Sequence, residues 1–129
     1  YQQFKIIEKL IDKSFSDIQI YGVETVRDQD GLALSSRNKL INKPNREIYI
    51  NFINTMNKFI SNFDPETEIQ DANQKLNSFI KETIDQIKKF EYCEFRSVED
   101  MSMNGKVKNS RLFMAFYILN TRLIDNLKT

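Results

Sequence analysis

Apolar positions along this chain fall into three regimes. Over residues 2–13, Phe4, Ile7, Leu10 and Ile11 recur at helical spacing, which predicts an amphipathic helix with one apolar stripe, ended by residues 14–17. "IQIYGV" (18–23) then alternates apolar with polar and is closed by Gly22, the pattern of a short strand. A helix leading into a strand reads as the last half-unit of a parallel α/β sheet whose other strands lie elsewhere. In the second regime Tyr49, Phe52, Ile53, Met56, Phe59, Ile60 and Phe63 repeat at three and four, predicting a helix capped by Asn42, with Pro44 in its first turn, to about residue 63. Asp64 and Pro65 predict a restart as cap and first helical position. Ile69, Ala72, Leu76, Phe79, Ile80, Ile84 and Ile87 mark a second long helix, antiparallel to the first.

The last third changes period. "YCEFR" (92–96) alternates, "LFMAFYIL" (112–119) is continuously apolar, and "TRLIDN" (121–126) is a short β-prone piece, so three strands of a small antiparallel sheet are expected. "NGK" (104–106) signals a turn, and residues 97–110 leave room for a short helical turn as well. The fold class that follows is α+β: two long helices packed on a small antiparallel sheet, preceded by the last helix and strand of a Rossmann-like nucleotide-binding domain.

Composition narrows the function. With 129 residues, 40% hydrophobic and 29% charged, the chain has the makeup of one folded domain. Nineteen basic against eighteen acidic side chains give +1, so no overall field drives nucleic-acid or membrane binding, and any anion site must be local. The longest apolar run, residues 112–119, is too short to span a bilayer. The lone Cys93 fits a reducing compartment, and a cytoplasmic location is expected. There is no histidine, which excludes a Ser-His-Asp triad, a Cys-His pair or a His-based zinc site within these residues. No metal site is expected in the chain. Because Cys93 has no base to activate it and alternates with Phe95, it reads as a core residue. Arg122 and Asp125 read as an ion pair or as a tie between the terminal strand and the sheet. The opening "YQQFKIIEKLI" starts in mid-pattern, without a Met or a capping residue, as a segment of something longer would.

The stretch "RDQDGLALSSRNK" (27–39) fits neither period. Gly31 permits a sharp turn, Ser35 and Ser36 offer hydroxyl and amide donors, and Arg37 offers a planar fork suited to phosphate. A plain surface loop is the competing reading, with its serines capping the next short helix and its arginine solvated.

Four segments carry a family resemblance. "GVETVRDQDGLALSSRN" (22–38) resembles the pantothenate synthetase (pantoate-beta-alanine ligase) pattern G-V-P-T-V-R-E-x-D-G-L-A-M-S-S-R-N. "YQQ" (1–3) is similar to the end of the family's G-x-K-D-Y-Q-Q, "TRLIDN" to its C-terminal motif, and "FEYCEFRSVEDM" (90–101) to its strand of the type I-D-Y-L-E-V-R-D. The chain departs from the pattern at Glu24, where many relatives have Pro, at Leu34 in place of Met, and at Asn120, which replaces a glycine.

The resemblance implies an ATP-dependent ligase that condenses pantoate with beta-alanine through a pantoyl adenylate, with Mg2+. Leu34, Ser35, Ser36 and Arg37 would then correspond to the K-M-S-K-S loop that binds the ATP phosphates, Ser35 and Arg37 serving catalysis. Val26 would meet the adenine ring through its backbone, and Gln3 would hydrogen-bond pantoate. The exposed-helix reading of Gln3 stands beside that. Residues 1–24 would end the nucleotide-binding domain and 25–129 form a C-terminal lid. The H-I-G-H-like motif and most groups that hold ATP and Mg2+ are absent here, so the chain is expected to be inactive alone, and the whole enzyme to be a homodimer. A non-catalytic interaction module that keeps the C-terminal fold is the alternative.

Overall fold

The computed structural model describes residues 1–15, 17–87 and 89–129. Its centre is a three-stranded antiparallel sheet in the order β1 (Lys89–Ser97), β2 (Ser110–Ile118), β3 (Thr121–Lys128). Because side chains alternate across a strand, the register sorts the sheet into two faces. Opposite one another on the inner face lie Phe95 and Leu112, Leu112 and Leu127, Met114 and Asp125, and Phe116 and Leu123. Tyr92 and Ala115, Phe113 and Asn126, and Tyr117 and Arg122 share the outer face.

Two helices cover the inner face. α1 (Gln2–Ser14) stands apart, whereas α2 (Lys43–Ser61) buries Tyr49, Phe52, Ile53, Met56 and Ile60, and α3 (Ile69–Thr83) buries Ile69, Ala72 and Leu76. Phe116 is the meeting point: Phe52 packs on it edge-on at 4.8 Å, and Tyr49 stacks beside it at 6.3 Å. Each such large side chain taken out of water stabilises the fold by about 1.5–3 kcal/mol. The stripes of α2 and α3 turn toward the sheet more than toward each other and touch where Phe59 stacks on Phe79 at 4.3 Å. Asn42 caps α2 as expected, its side chain accepting from Asn45 N–H at 3.1 Å, and Pro44 sits in the first turn.

Three local expectations are corrected. Residues 18–23 form no strand, because a strand needs a neighbour to take its N–H and C=O groups and no neighbour is available to this segment among the described residues. It runs beside α1, where Gly22 lies so close to Phe4 that an added Cβ would sit 3.3 Å from the ring. Asp64 caps a turn and not a helix: it accepts from Glu66 N–H at 2.9 Å and, through its carbonyl, from Thr67 N–H at 2.9 Å. α3 therefore starts four residues later than the sequence suggests. It also stops at Thr83, although Ile87 beyond it still enters the core.

In the sheet the three expected strands form, each longer than expected, except that β2 ends at Ile118 and Leu119 lies in the turn at φ +50. Gly105, at φ +100, marks the turn at "NGK", and Val107–Asn109 form the short helical turn for which the spacing leaves room. Cys93 packs against the core on the same face as Phe95. Burial, followed by the nearby Glu94 carboxylate, pushes its thiol up to about 12, so it stays protonated and unreactive.

Candidate functional site

The segment that fits neither period folds into a small hairpin followed by a helical turn. Arg27 and Ala33 form an antiparallel bridge, closed by Asp28 N–H to Leu32 O at 3.0 Å and by Leu34 N–H to Val26 O at 2.9 Å. Gly31 takes φ +80 at the tip, a conformation costly for any residue with a Cβ. Asp28 holds the tip from inside, its carboxylate accepting from the amides of Asp30 at 3.0 Å and Leu32 at 3.1 Å. Ser36–Leu40 then form a single 3-10 turn, and Ser35 caps it by accepting from Arg37 N–H at 3.2 Å. The capping half of the competing reading is thus correct. A serine that accepts in this way still has its own O–H to donate.

Two sets of charged contacts seat the hairpin. Arg46 of α2 pairs with both Asp28 and Asp30. Arg27 reaches β3, donating from its two terminal nitrogens to the two oxygens of Asp125 at 2.8 Å each, and also to the carbonyls of Gly31 at 2.9 Å and Asn126 at 3.1 Å. Asp125 further accepts from Tyr49 Oη at 2.5 Å and from Asn126 N–H at 2.7 Å. Burial, then the charge of Asp125, drives the Tyr49 hydroxyl far above its ordinary range, so Tyr49 remains a donor. Of the two readings of Arg122 and Asp125, the ion pair between them does not occur, and the tie of the terminal strand to the sheet does. Three residues apart on one strand, they point to opposite faces, and Arg122 instead grips Glu91 with two nitrogens at 2.7–3.0 Å.

Between this hairpin, the first turn of α1 and the outer face of the sheet lies a cleft of about 430 Å3. Gln3, Leu34, Ser35 and Arg37 line it, so four of the six residues singled out from sequence converge although Gln3 is 31 positions or more from the others. Val26 and Ser36 are exposed on the same hairpin and turn but do not line the cleft. Sequence reasoning missed its floor and walls, which include Phe113, Tyr92 and Tyr1, because periodicity assigns such residues to a face without saying what opens above it. Phe113 is only 5% exposed, sitting beneath the Tyr1 ring at 6.2 Å.

The side chains along this cleft include donors that could receive an anion. Among the described residues Arg37 has no carboxylate partner, whereas Arg27, Arg46, Arg96 and Arg122 each pair with at least one and Arg111 is engaged by Asn126 and the Tyr1 ring. Its guanidinium, the Ser35 hydroxyl and the Gln3 amide can each donate into the cleft. No group of three or more His, Cys, Asp or Glu side chains among the described residues is placed to hold a metal ion, and no described helix is long and apolar enough to cross a membrane.

Comparison with known proteins agrees over nearly all of the chain. The family model for pantoate-beta-alanine ligase matches residues 1–128. The pantothenate synthetase of Sulfurihydrogenibium sp. (strain YO3AOP1) is 35% identical over 99% of this chain and 46% of its own length, and that of Aquifex aeolicus (strain VF5) is 34% identical over 99% and 45%. Among solved structures, pantothenate synthetase from Thermus thermophilus superposes with a TM-score of 0.78 at 23% identity, covering 99% of this chain and 46% of that one, which establishes the likeness of fold. Pantoate-beta-alanine ligase from Francisella tularensis, complexed with beta-gamma ATP and beta-alanine, gives 0.58 at 28% identity, covering 99% and 40%. The chain spans about half the length of the curated relatives it matches. With a family model matched from end to end and relatives above 30% identity, the chain belongs to the pantoate-beta-alanine ligase family.

Proposed function

We propose that this chain is the C-terminal part of an ATP-dependent ligase that joins pantoate to beta-alanine through a pantoyl adenylate. Residues 1–24 end a Rossmann-like nucleotide-binding domain, and residues 25–129 form a lid over it. The observation that carries the reading is the Arg37 guanidinium, without a carboxylate partner among the described residues, beside Ser35 at the rim of a cleft that Gln3 also enters. When a carboxylate attacks the α-phosphorus of ATP, negative charge builds on the departing pyrophosphate. Arg37 and Ser35 donate to its oxygens, and Leu34 and Ser36 complete the loop that closes on the phosphates. Val26 meets the adenine through its backbone, and Gln3 orients pantoate.

The donors present suit a triphosphate and a hydroxy acid. Mg2+ would add its charge to the same phosphates, held by groups outside these residues. Closure of the lid keeps water from the acyl adenylate. The complete enzyme works as a cytoplasmic homodimer, while the 129-residue chain alone is inactive.

Assay of the isolated chain with ATP, pantoate and beta-alanine tests the last point: no AMP is expected, and measurable AMP formation overturns it. In the complete polypeptide, Arg37→Ala should slow turnover about ten- to a hundredfold, the worth of one hydrogen bond to a charged group. Turnover untouched by that change removes Arg37 from the mechanism.

A further inference from the structure

The hairpin that carries the Ser35 and Arg37 donors is thinly attached to its domain. Across residues 27–40 only Leu32 is buried, so apolar packing alone does not fix where the segment projects. Polar contacts at its base must do so, and the buried one is centred on Asp125. The side chain of Asp125 is 2% exposed and receives two bonds from Arg27, one from Tyr49 and one from the Asn126 amide.

A carboxylate buried in this way is not the strongest filler of a core position, since well-packed apolar side chains commonly do as well for stability. What an apolar residue cannot supply is direction. A planar guanidinium held at both nitrogens cannot rotate, and the one here also donates across the hairpin to Gly31 O. From Arg27 the ladder runs on to Leu34, and Asn38 Nδ2 donates to Ala33 O at 3.0 Å, so the helical turn bearing Arg37 is tied to the same frame.

We propose that Asp125 is a positioning residue for the loop at residues 35–37, acting by clamping Arg27 so that the hairpin holds its donors over the cleft. The kinetic consequence rests on the ligase reading above, whereas the geometric one does not.

The test uses the complete polypeptide, with Asp125→Asn and Tyr49→Phe as variants and two readouts. By hydrogen exchange, the amides of residues 33–38 should exchange at least about tenfold faster in Asp125→Asn, while those of α3 keep their protection. Unchanged exchange at 33–38 in a folded variant overturns the proposal, whether or not the protein proves to be a ligase. In steady-state kinetics, Asp125→Asn should raise KM for ATP about tenfold and leave KM for beta-alanine within twofold. In an Arg37→Ala background the same substitution should cost less than about twofold, because the group it positions is gone. Equal losses in both backgrounds overturn the proposal. Should Asp125→Asn fail to fold, Tyr49→Phe, which removes one bond and no volume, must show the same pattern at smaller amplitude or the idea fails. A wild-type polypeptide that forms no AMP from ATP, pantoate and beta-alanine together removes the ligase reading and leaves the exchange result to decide the rest.

Discussion

Glu91 gathers three donors on the outer face of the sheet: the Tyr117 hydroxyl at 2.8 Å and two nitrogens of Arg122. The Arg122 hydrogen bonds, then that of Tyr117, hold its carboxyl down at about 2. A carboxylate whose folded value lies below its unfolded one adds stability above the unfolded value near 4.5, and that contribution is lost as pH falls through the folded value. The difference in Tm between wild type and Glu91→Gln should therefore be constant above about pH 5, shrink between about pH 4.5 and 2, and vanish below. A difference that persists well below about pH 2 contradicts the assignment.

At this scale the sequence is informative about kind and silent about partner. The donors that Ser35 and Arg37 bring to the cleft are legible from side-chain chemistry, and the core role of Cys93 from strand alternation. The links of Arg122 to Glu91 and of Arg27 to Asp125 are not legible, because spacing along one strand does not reveal which distant element packs against it.

Among the elements, β1 lies at an edge, and its outward N–H and C=O groups would be open to another strand. Asn73 on α3 closes that edge at Phe95, its amide accepting from Phe95 N–H at 2.7 Å and donating to Phe95 O at 3.1 Å. The same pair of bonds pins α3 to the sheet. Asn73→Ala should lower the unfolding free energy by about 1–3 kcal/mol in urea titration, since it strips two backbone groups of their partner. The exposed Gln70→Ala should stay within about 0.5 kcal/mol.

Helix existence follows from the apolar stripes, and α2 begins at the residue its cap and proline indicate. The start of α3 is misread because Asp-Pro serves a turn as well as it serves a cap. Residues 18–23 are misread for a deeper reason: alternation states what a segment does when a sheet is offered, and the partner strands are a separate requirement.

Across the whole molecule, the contrast lies between a packed C-terminal part and an open N-terminal one. α1 buries none of its residues, and Ile6, Ile7 and Leu10 are 47–60% exposed, with Phe15, Ile18, Tyr21 and Val23 exposed beyond them. A continuous apolar surface of this kind is rarely left to water. On the proposed reading the cover is the nucleotide-binding part of a longer polypeptide, the relatives being about twice as long. The isolated chain should then bind a hydrophobic dye such as ANS and self-associate in sedimentation, and Ile7→Glu with Leu10→Glu should suppress both. If the complete polypeptide binds the dye as strongly as the fragment, this face has some other occupant.

The clamp between Arg27 and Asp125 joins positions 98 residues apart, near opposite ends of these 129 residues. A ribosome that has already released the hairpin must still make both helices and two strands before the carboxylate exists to receive it. The seat of the hairpin is therefore assembled last during synthesis, and a frameshift or protease cut just ahead of "DN" would leave α2, α3 and most of the sheet intact while untying the loop.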